Sequence, residues 1–293
     1  MQAPRTVTGT GTAQPLGGGY PLEPGGVDDY PVRVGSMLLT LVDPHRGYER
    51  AYNRWYERDH FYAGCMTGPH QMAGSRWVAT RDLKAMRWPD VSSVADPVDA
   101  GSYMAVYWVE EGHHARWDRW ALERVRDLYA RGRGFAARDH VHTATYDRLG
   151  VAYRDGDPVP VDLALDHHYP GLVAAWFDAL GGADAAELST VLLGDLVQEL
   201  LGGSSIEIAS SWAPRPELRE GRAGLVPMDL GSPAGGSNRI CQLFFVGGDV
   251  VSELPRFRRY AESIAASGLG EVVLVAPFVC SVVGTDKYVD ELW

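Results

Sequence analysis

From residue 36 onward, runs that alternate like strands and runs spaced like helices follow the order β-α-β-β-α-β, and the same order then recurs. In the first round the strand run Met37–Val42 leads into a helical run, Arg46–His60, and strands follow at Arg76–Thr80 and Tyr103–Glu110. A helix over His113–Arg131 sets Trp117, Trp120, Ala121, Val125 and Leu128 on one face and stops at Gly132; Val141–Arg148 closes the round as a strand. In the second round Val161–Leu165 reads as a strand, and Leu172–Leu180 and Ala185–Leu201 as helices broken at Gly181-Gly182. Ile206–Trp212 reads as a strand, 213–237 as a Pro/Gly-rich loop, Arg239–Val246 as a strand, Val251–Ala266 as a helix ended by Gly268, and Glu271–Val283 as the last strand.

Two helices cover only one face of a four-stranded sheet, so each round leaves a face that must be buried, and pairing the two sheets face to face does this. The expected architecture is therefore α+β: two tandem ferredoxin-like units, 36–155 and 156–293, closing into a pseudo-dimeric α/β barrel. The 45% apolar content supplies a core for such a fold. Residues 1–35, with GTGTAQPLGGGYPLEPGG at their centre, bury little apolar surface and are expected to form a flexible Gly/Pro-rich segment. No Gly-Lys-Ser/Thr follows those glycines, so they do not form a phosphate loop.

The net charge of −11 argues against a nucleic-acid partner, since phosphate binding needs a basic surface. No run of about 18 apolar residues is present, so no membrane span is expected, and the N-terminus lacks a basic-then-apolar leader pattern. Cys65, Cys241 and Cys280 form no CxxC pair, which suits reduced thiols and a cytoplasmic setting.

The segment RGYERAYNRWYERDHFY (46–62) carries an Asn-x-Trp-Tyr-x-x-x-His cassette in which Tyr52, Tyr56 and His60 fall four residues apart along one helix edge. With the strand before it, NRWYERDHFYAG (53–64) and SRWVAT (75–80) give the first half a resemblance to the EthD-like branch of the dimeric α/β-barrel superfamily. In the second half Trp176-Phe177 is matched to Trp55-Tyr56, and nothing there corresponds to His60. The resemblance implies enzymes of several kinds: cofactor-free monooxygenases, cyclases, lactone isomerases and decarboxylases acting on aromatic or polyketide-like molecules, and also haem enzymes. Fold alone does not choose among these.

His60 is the foremost candidate for chemistry. An imidazole titrates at about 6.5 and exchanges protons near neutrality; at a cavity mouth it would serve as a general acid or base, and its plainer role is to cap a helix C-terminus. His140, His142 and Tyr146 share one face of the strand DHVHTATY if its alternation is unbroken, and Tyr103 and Tyr107 share a face of SYMAVYWV. Turned into the barrel, these faces would line a cavity suited to a hydroxylated aromatic ligand, with the apolar Met104, Val106 and Trp108 left under the helices. The catalytic set is then His60, His140 and His142, and the binding set Tyr56, Tyr103, Tyr107, Tyr146 and Asp43.

Asp43-Pro-His45 and Asp166-His167-His168 are read as equivalent loops after the first strand of each half; each could orient a base, or simply cap a helix. His113-His114 opens a helix and reads as solvated surface, and Cys65 as a buried structural thiol. No convincing third ligand accompanies His140-x-His142, so no metal and no cofactor are expected. The terminal Leu292-Trp293 suggests a tail docked on the body. The expected function is a cofactor-independent lyase or isomerase type of proton transfer on an aromatic or polyketide-like small molecule. A non-catalytic binding protein, a cofactor-free monooxygenase and a haem- or metal-dependent barrel enzyme are the alternatives, and pairing into a homodimer stays open.

Overall fold

A computed structural model describes residues 32–215 and 227–293. The residues assigned to the flexible N-terminal segment up to 31, and 216–226 of the loop after the sixth strand, lie outside the described residues. The elements are β1 Val34–Pro44, α1 Glu49–Trp55 with a π-helical continuation Tyr56–Met66, β2 Gln71–Val78, α2 Arg81–Lys84, β3 Tyr103–Glu110, α3 His114–Ala130 and β4 Arg138–Tyr153. A second series follows: β5 Gly171–Ala179, α4 Ala185–Val191 with a π-helical turn Leu192–Leu196, α5 Val197–Leu201, β6 Ile206–Arg215, β7 Arg239–Val246, α6 Val250–Ser267 and β8 Gly270–Cys280.

The eight antiparallel strands close into a barrel in the order β1-β3-β2-β8-β5-β7-β6-β4. Each series thus forms a ferredoxin-like sheet, β4-β1-β3-β2 and β8-β5-β7-β6, and the sheets join edge to edge at two unequal seams. One seam is long, from Thr145 opposite Arg215 to Tyr153 opposite Ile208. The other holds only Trp77 opposite Cys280 and Val78 opposite Val279. Strand β4 is long because its first half serves β1 and its second half serves β6.

Large side chains from both sheets fill the space between them. Trp108 stacks on Trp212 with centroids 4.8 Å apart. Phe245 meets Trp77 and Trp108 edge-on, and the Trp176 indole donates to Tyr146 Oη at 3.1 Å. The outer faces carry the helices: Phe257 and Tyr260 of α6 pack on Phe244, and Tyr52 of α1 packs on Tyr103.

Two assignments from sequence are corrected here. Val161–Leu163 is a short 3₁₀ turn, not a strand, and the first strand of the second sheet is Gly171–Ala179, where a helix was expected. Gly171 through Phe177 are all buried, because β5 lies between β7 and β8 with one face on the barrel interior and the other under helices. A strand buried on both faces shows no alternation, so its short apolar run mimics a helix. Trp176-Phe177 is therefore no helical counterpart of Trp55-Tyr56, and Asp166-His167-His168 precedes β5 where Asp43-Pro-His45 follows β1.

The C-terminal tail docks on the body as expected. Leu292 is fully buried, Trp293 Nε1 donates to Glu49 Oε1 at 2.7 Å, and Arg46 and Lys84 lie over the Trp293 ring. None of the described helices is long and apolar enough to cross a membrane. The three cysteines are free.

Since Trp212 is fully buried and stacked across the two sheets, Trp212→Ala should lower unfolding free energy by about 3–5 kcal/mol in urea titrations. Leu163→Ala, at a side chain 50% exposed, should change it by less than about 0.5 kcal/mol.

Candidate functional site

The parity of the strands decides where a ligand can sit, and it is opposite to the sequence expectation for β3. Tyr107 turns to the helix layer, where its hydroxyl meets that of Tyr56 and its ring meets Phe61. Tyr103 turns the same way, against Tyr52 and the Arg76 guanidinium, 3.9 Å from its centroid. Met104, Val106 and Trp108 are the residues in the barrel core. A polar Tyr row is tolerated under the helices because α1 and its continuation bring Tyr52 and Tyr56, and β2 the buried Arg76, to meet it.

Strand β4 splits its histidines. Leu41 pairs with His142 and Val42 with His140, so Val141 is bulged and the alternation breaks between the two. His142 faces the barrel interior, fully buried. Its Nδ1 donates to Ser232 Oγ at 2.8 Å, since Ser232 Oγ itself donates to Val94 O; its Nε2 then accepts from Tyr146 Oη at 2.6 Å. His142 and Tyr146 thus belong to one satisfied core network. Asp43 is likewise engaged elsewhere, accepting from Gly101 N, Ser102 N and Ser102 Oγ at 2.6–2.7 Å.

His140, flipped by the bulge, faces the helix layer and lines a cleft of about 900 Å³, open mouth included, between the first sheet and its helices. Leu38, Thr40, Val42, Tyr107 and Thr143 form its floor, Trp117, Trp120, Ala121 and Val125 of α3 one wall, and Tyr52, Tyr56, His60 and Cys65 the other. Arg138, Met228 and Leu230 stand at one end. Of the residues picked from sequence, the structure brings His60, His140, Tyr56 and Tyr107 together here; Tyr103 lies on the same sheet face outside the lining, and His142, Tyr146 and Asp43 lie elsewhere.

The π-helical segment shapes the second wall. Its wider turn puts Cys65 beside His60, with Sγ 3.9 Å from Nε2. His60 stacks on Trp55 at 4.6 Å and meets Tyr56 edge-on at 5.3 Å. A Cβ at position 64 would fall 2.7 Å from His60 Nδ1, so only glycine lets the imidazole lie over that turn. Trp55 Nε1 donates to Arg133 O, Arg133 pairs with Asp59, and Arg124 Nε donates to Ala63 O, which together tie the segment to α3 and its following loop.

Arg138 sets the electrostatics. Its Nε donates to His140 Nε2 at 3.2 Å and its Nη2 to Tyr129 Oη at 3.0 Å, with the guanidinium 4.6 Å from the Trp55 centroid. Because arginine only donates, His140 Nε2 is the acceptor and Nδ1–H donates to Thr143 Oγ1 at 2.7 Å. Burial, and then the Arg138 charge, pull both His60 and His140 down to about 3, so both are neutral at pH 7. Burial pushes the Cys65 thiol up to about 12 and the Tyr56 and Tyr107 phenols well above their usual range. The chain His60–Cys65–Tyr107–Tyr56 is therefore a run of neutral groups in contact. Arg138 is 9% exposed, and among the described residues its Nη1 has no hydrogen-bond partner. Sequence reasoning passed over it, although it lies two positions before His140 on one strand.

No protein-family model matches the chain, and no curated protein matches it in sequence. Solved structures resemble it in fold. An anthrone oxidase-like protein is 9% identical with a TM-score of 0.51, the match covering 87% of this chain and 98% of that one. A DypB variant of Rhodococcus jostii in complex with haem is 12% identical with a TM-score of 0.50, covering 88% and 96%. At these identities the likeness is one of architecture, and that architecture is the α+β fold of the dimeric α/β barrels.

Proposed function

We propose that the cleft binds an aromatic or polyketide-like molecule bearing an acidic oxygen and catalyses a proton transfer on it. One observation carries this reading: a buried arginine whose Nη1 has no hydrogen-bond partner among the described residues lines an apolar cleft beside two neutral imidazoles. A buried donor left without a partner costs about 1–3 kcal/mol, which an enolate or phenolate oxygen on Nη1 would recover. The half-buried apolar face of α3, with Trp117 and Trp120, offers a stacking surface for a ring.

In this mechanism His60 takes the proton from a C–H or O–H of the ligand, directly or through the Cys65 thiol. The electron pair stays on the ligand as an oxyanion held by Arg138. Burial is the larger cause of the depressed His60, and an anion bound to Arg138 offsets the second, the guanidinium charge. His140 acts by holding Arg138 through Nε2, and Tyr56 and Tyr107 extend the path for the proton. Residues 53–64 and 75–80 support an EthD-like kinship of the first half, the chain divides into units 36–155 and 156–293, and isomerisation, cyclisation or decarboxylation is favoured over oxygenation.

Haem, which the DypB structure holds, fits this lining poorly. Both nitrogens of His140 are engaged, and an iron on His60 Nε2 would meet Cys65 on the same wall.

The test begins with hydroxylated aromatic and polyketide-like ligands, titrated by quenching of cleft tryptophan fluorescence. Arg138→Gln should weaken binding at least about tenfold, the worth of a charge-assisted hydrogen bond. For a ligand that turns over, His60→Ala should cost about 10²-fold or more in kcat without oxygen uptake; wild-type turnover in that variant removes His60 from the mechanism, and stoichiometric oxygen consumption moves the reaction to the oxygenases.

The imidazoles also predict a pH dependence of stability. In the unfolded chain they titrate at about 6.5, whereas in the fold they do so near 3. Between these values the unfolded chain binds more protons, so stability should fall steadily as pH drops from about 6.5 toward 3. Arg138→Gln should flatten that fall, as read from melting temperatures across the range.

A further inference from the structure

Beside the Gln71 end of the cleft, His70, Glu110 and His113 converge from three different elements: the lead into β2, the end of β3 and the residue before α3. Their ligating atoms all lie within 4.8 Å of one another. His70 Nδ1 is 2.6 Å from Glu110 Oε2, and the His70 and His113 imidazoles lie parallel, 3° apart in plane and 3.6 Å between centroids. His70 sits at φ +61, a left-handed conformation that a non-glycine residue holds only when its surroundings impose it. Here Glu110 N donates to His70 O at 3.0 Å, which fixes the backbone that aims the ring at Glu110. His113 makes no side-chain cap to α3, so the helix start does not account for its position.

We propose that His70, Glu110 and His113 bind a divalent transition metal of the zinc class. Two imidazoles and one carboxylate form a donor set that suits Zn²⁺ and leaves a fourth position for water. Ligand atoms bound tetrahedrally at 2.0–2.1 Å stand about 3.4 Å apart, so side-chain torsions alone can close the present separations. The residues are half-buried and open to entry, His70 at 19% and Glu110 at 29% side-chain exposure. One group opposes the metal: Arg116 Nη1 lies 3.3 Å from His70 Nε2, and its charge repels a cation. The bound ion would clip β2, β3 and α3 together next to Gln71, which lines the cleft and accepts from Trp117 Nε1 at 2.7 Å. The role is that of a clip holding the cleft wall, and it does not depend on the proposed chemistry.

The test is calorimetric titration of the full, untagged chain with Zn²⁺ alone, in a non-chelating buffer. The expected result is about one equivalent bound with a rise in melting temperature. His113→Gln and His70→Asn, the latter because asparagine tolerates a positive φ, should each weaken binding at least about tenfold. Arg116→Ala, an exposed change that leaves the fold intact, should tighten it. Absence of saturable binding in the wild-type chain overturns the proposal. So does binding that is unchanged in folded His113→Gln, or weakened by Arg116→Ala.

Discussion

The stack of Trp108 on Trp212 fixes where this barrel can work. Both sheets send their largest side chains inward, and Trp77, Trp176 and Phe245 complete a filled interior. Apart from the hydrogen-bonded His142–Tyr146 network, several polar residues of the first sheet take the other face, under the helices. Tyr103, Tyr107, Thr40, Thr143 and His140 all lie there. The seams follow from the same core: with Trp108 and Trp212 stacked and β4 running on from β1 to β6, the sheets are joined continuously on one side and by two residue pairs on the other.

Under the helices, one charge organises the cleft. Arg138 reaches His140 through a hydrogen bond, lies over Trp55 and sets the field felt by His60. A guanidinium at a site this enclosed normally finds a carboxylate. Here its partners are an imidazole, a phenol, a thioether and an indole face, all neutral. Arg76 shows the contrast on the same sheet face: it too is buried among tyrosine rings, but it has Asn53 at 2.6 Å and Glu57 at 3.7 Å. Among the described residues no carboxylate pairs with Arg138.

Much of this was legible in the sequence. β3 and β7 fall on the expected residues although both are buried along nearly their whole length, and α3 and α6 lie within a residue or two of theirs because long amphipathic helices keep their period. The cleft's His60, Tyr56, Tyr107 and His140 were all picked from residue type and spacing. Their arrangement was not legible, for two physical reasons. The bulge at Val141 adds one residue to β4 and so reverses the face of His140 relative to His142, and a one-residue slip leaves no mark in the pattern. The π-helical turn displaces Cys65 onto His60, which a spacing of 3.6 residues does not bring together. β5 escaped because its burial on both faces erased its period.

The two halves share a fold but use their helix layers differently, and the difference lies in one helix each. α6 buries Val250, Glu253, Leu254, Phe257, Tyr260, Ala261 and Ile264, and its aromatic residues pack directly on Phe244 and Phe177. α3 has an equally one-sided apolar face, yet among its residues only Trp117 and Leu128 are buried. Trp120, Ala121 and Val125 look instead onto the cleft, held off the sheet by the π-helical wall that Arg124 and Arg133 tie to α3. An apolar face kept from its own sheet has a free-energy gain still to be made. Among the described residues, the second half lends the cleft Met228 and Leu230. Its larger contribution is the packed interior, against which the first half can leave its own helix layer open.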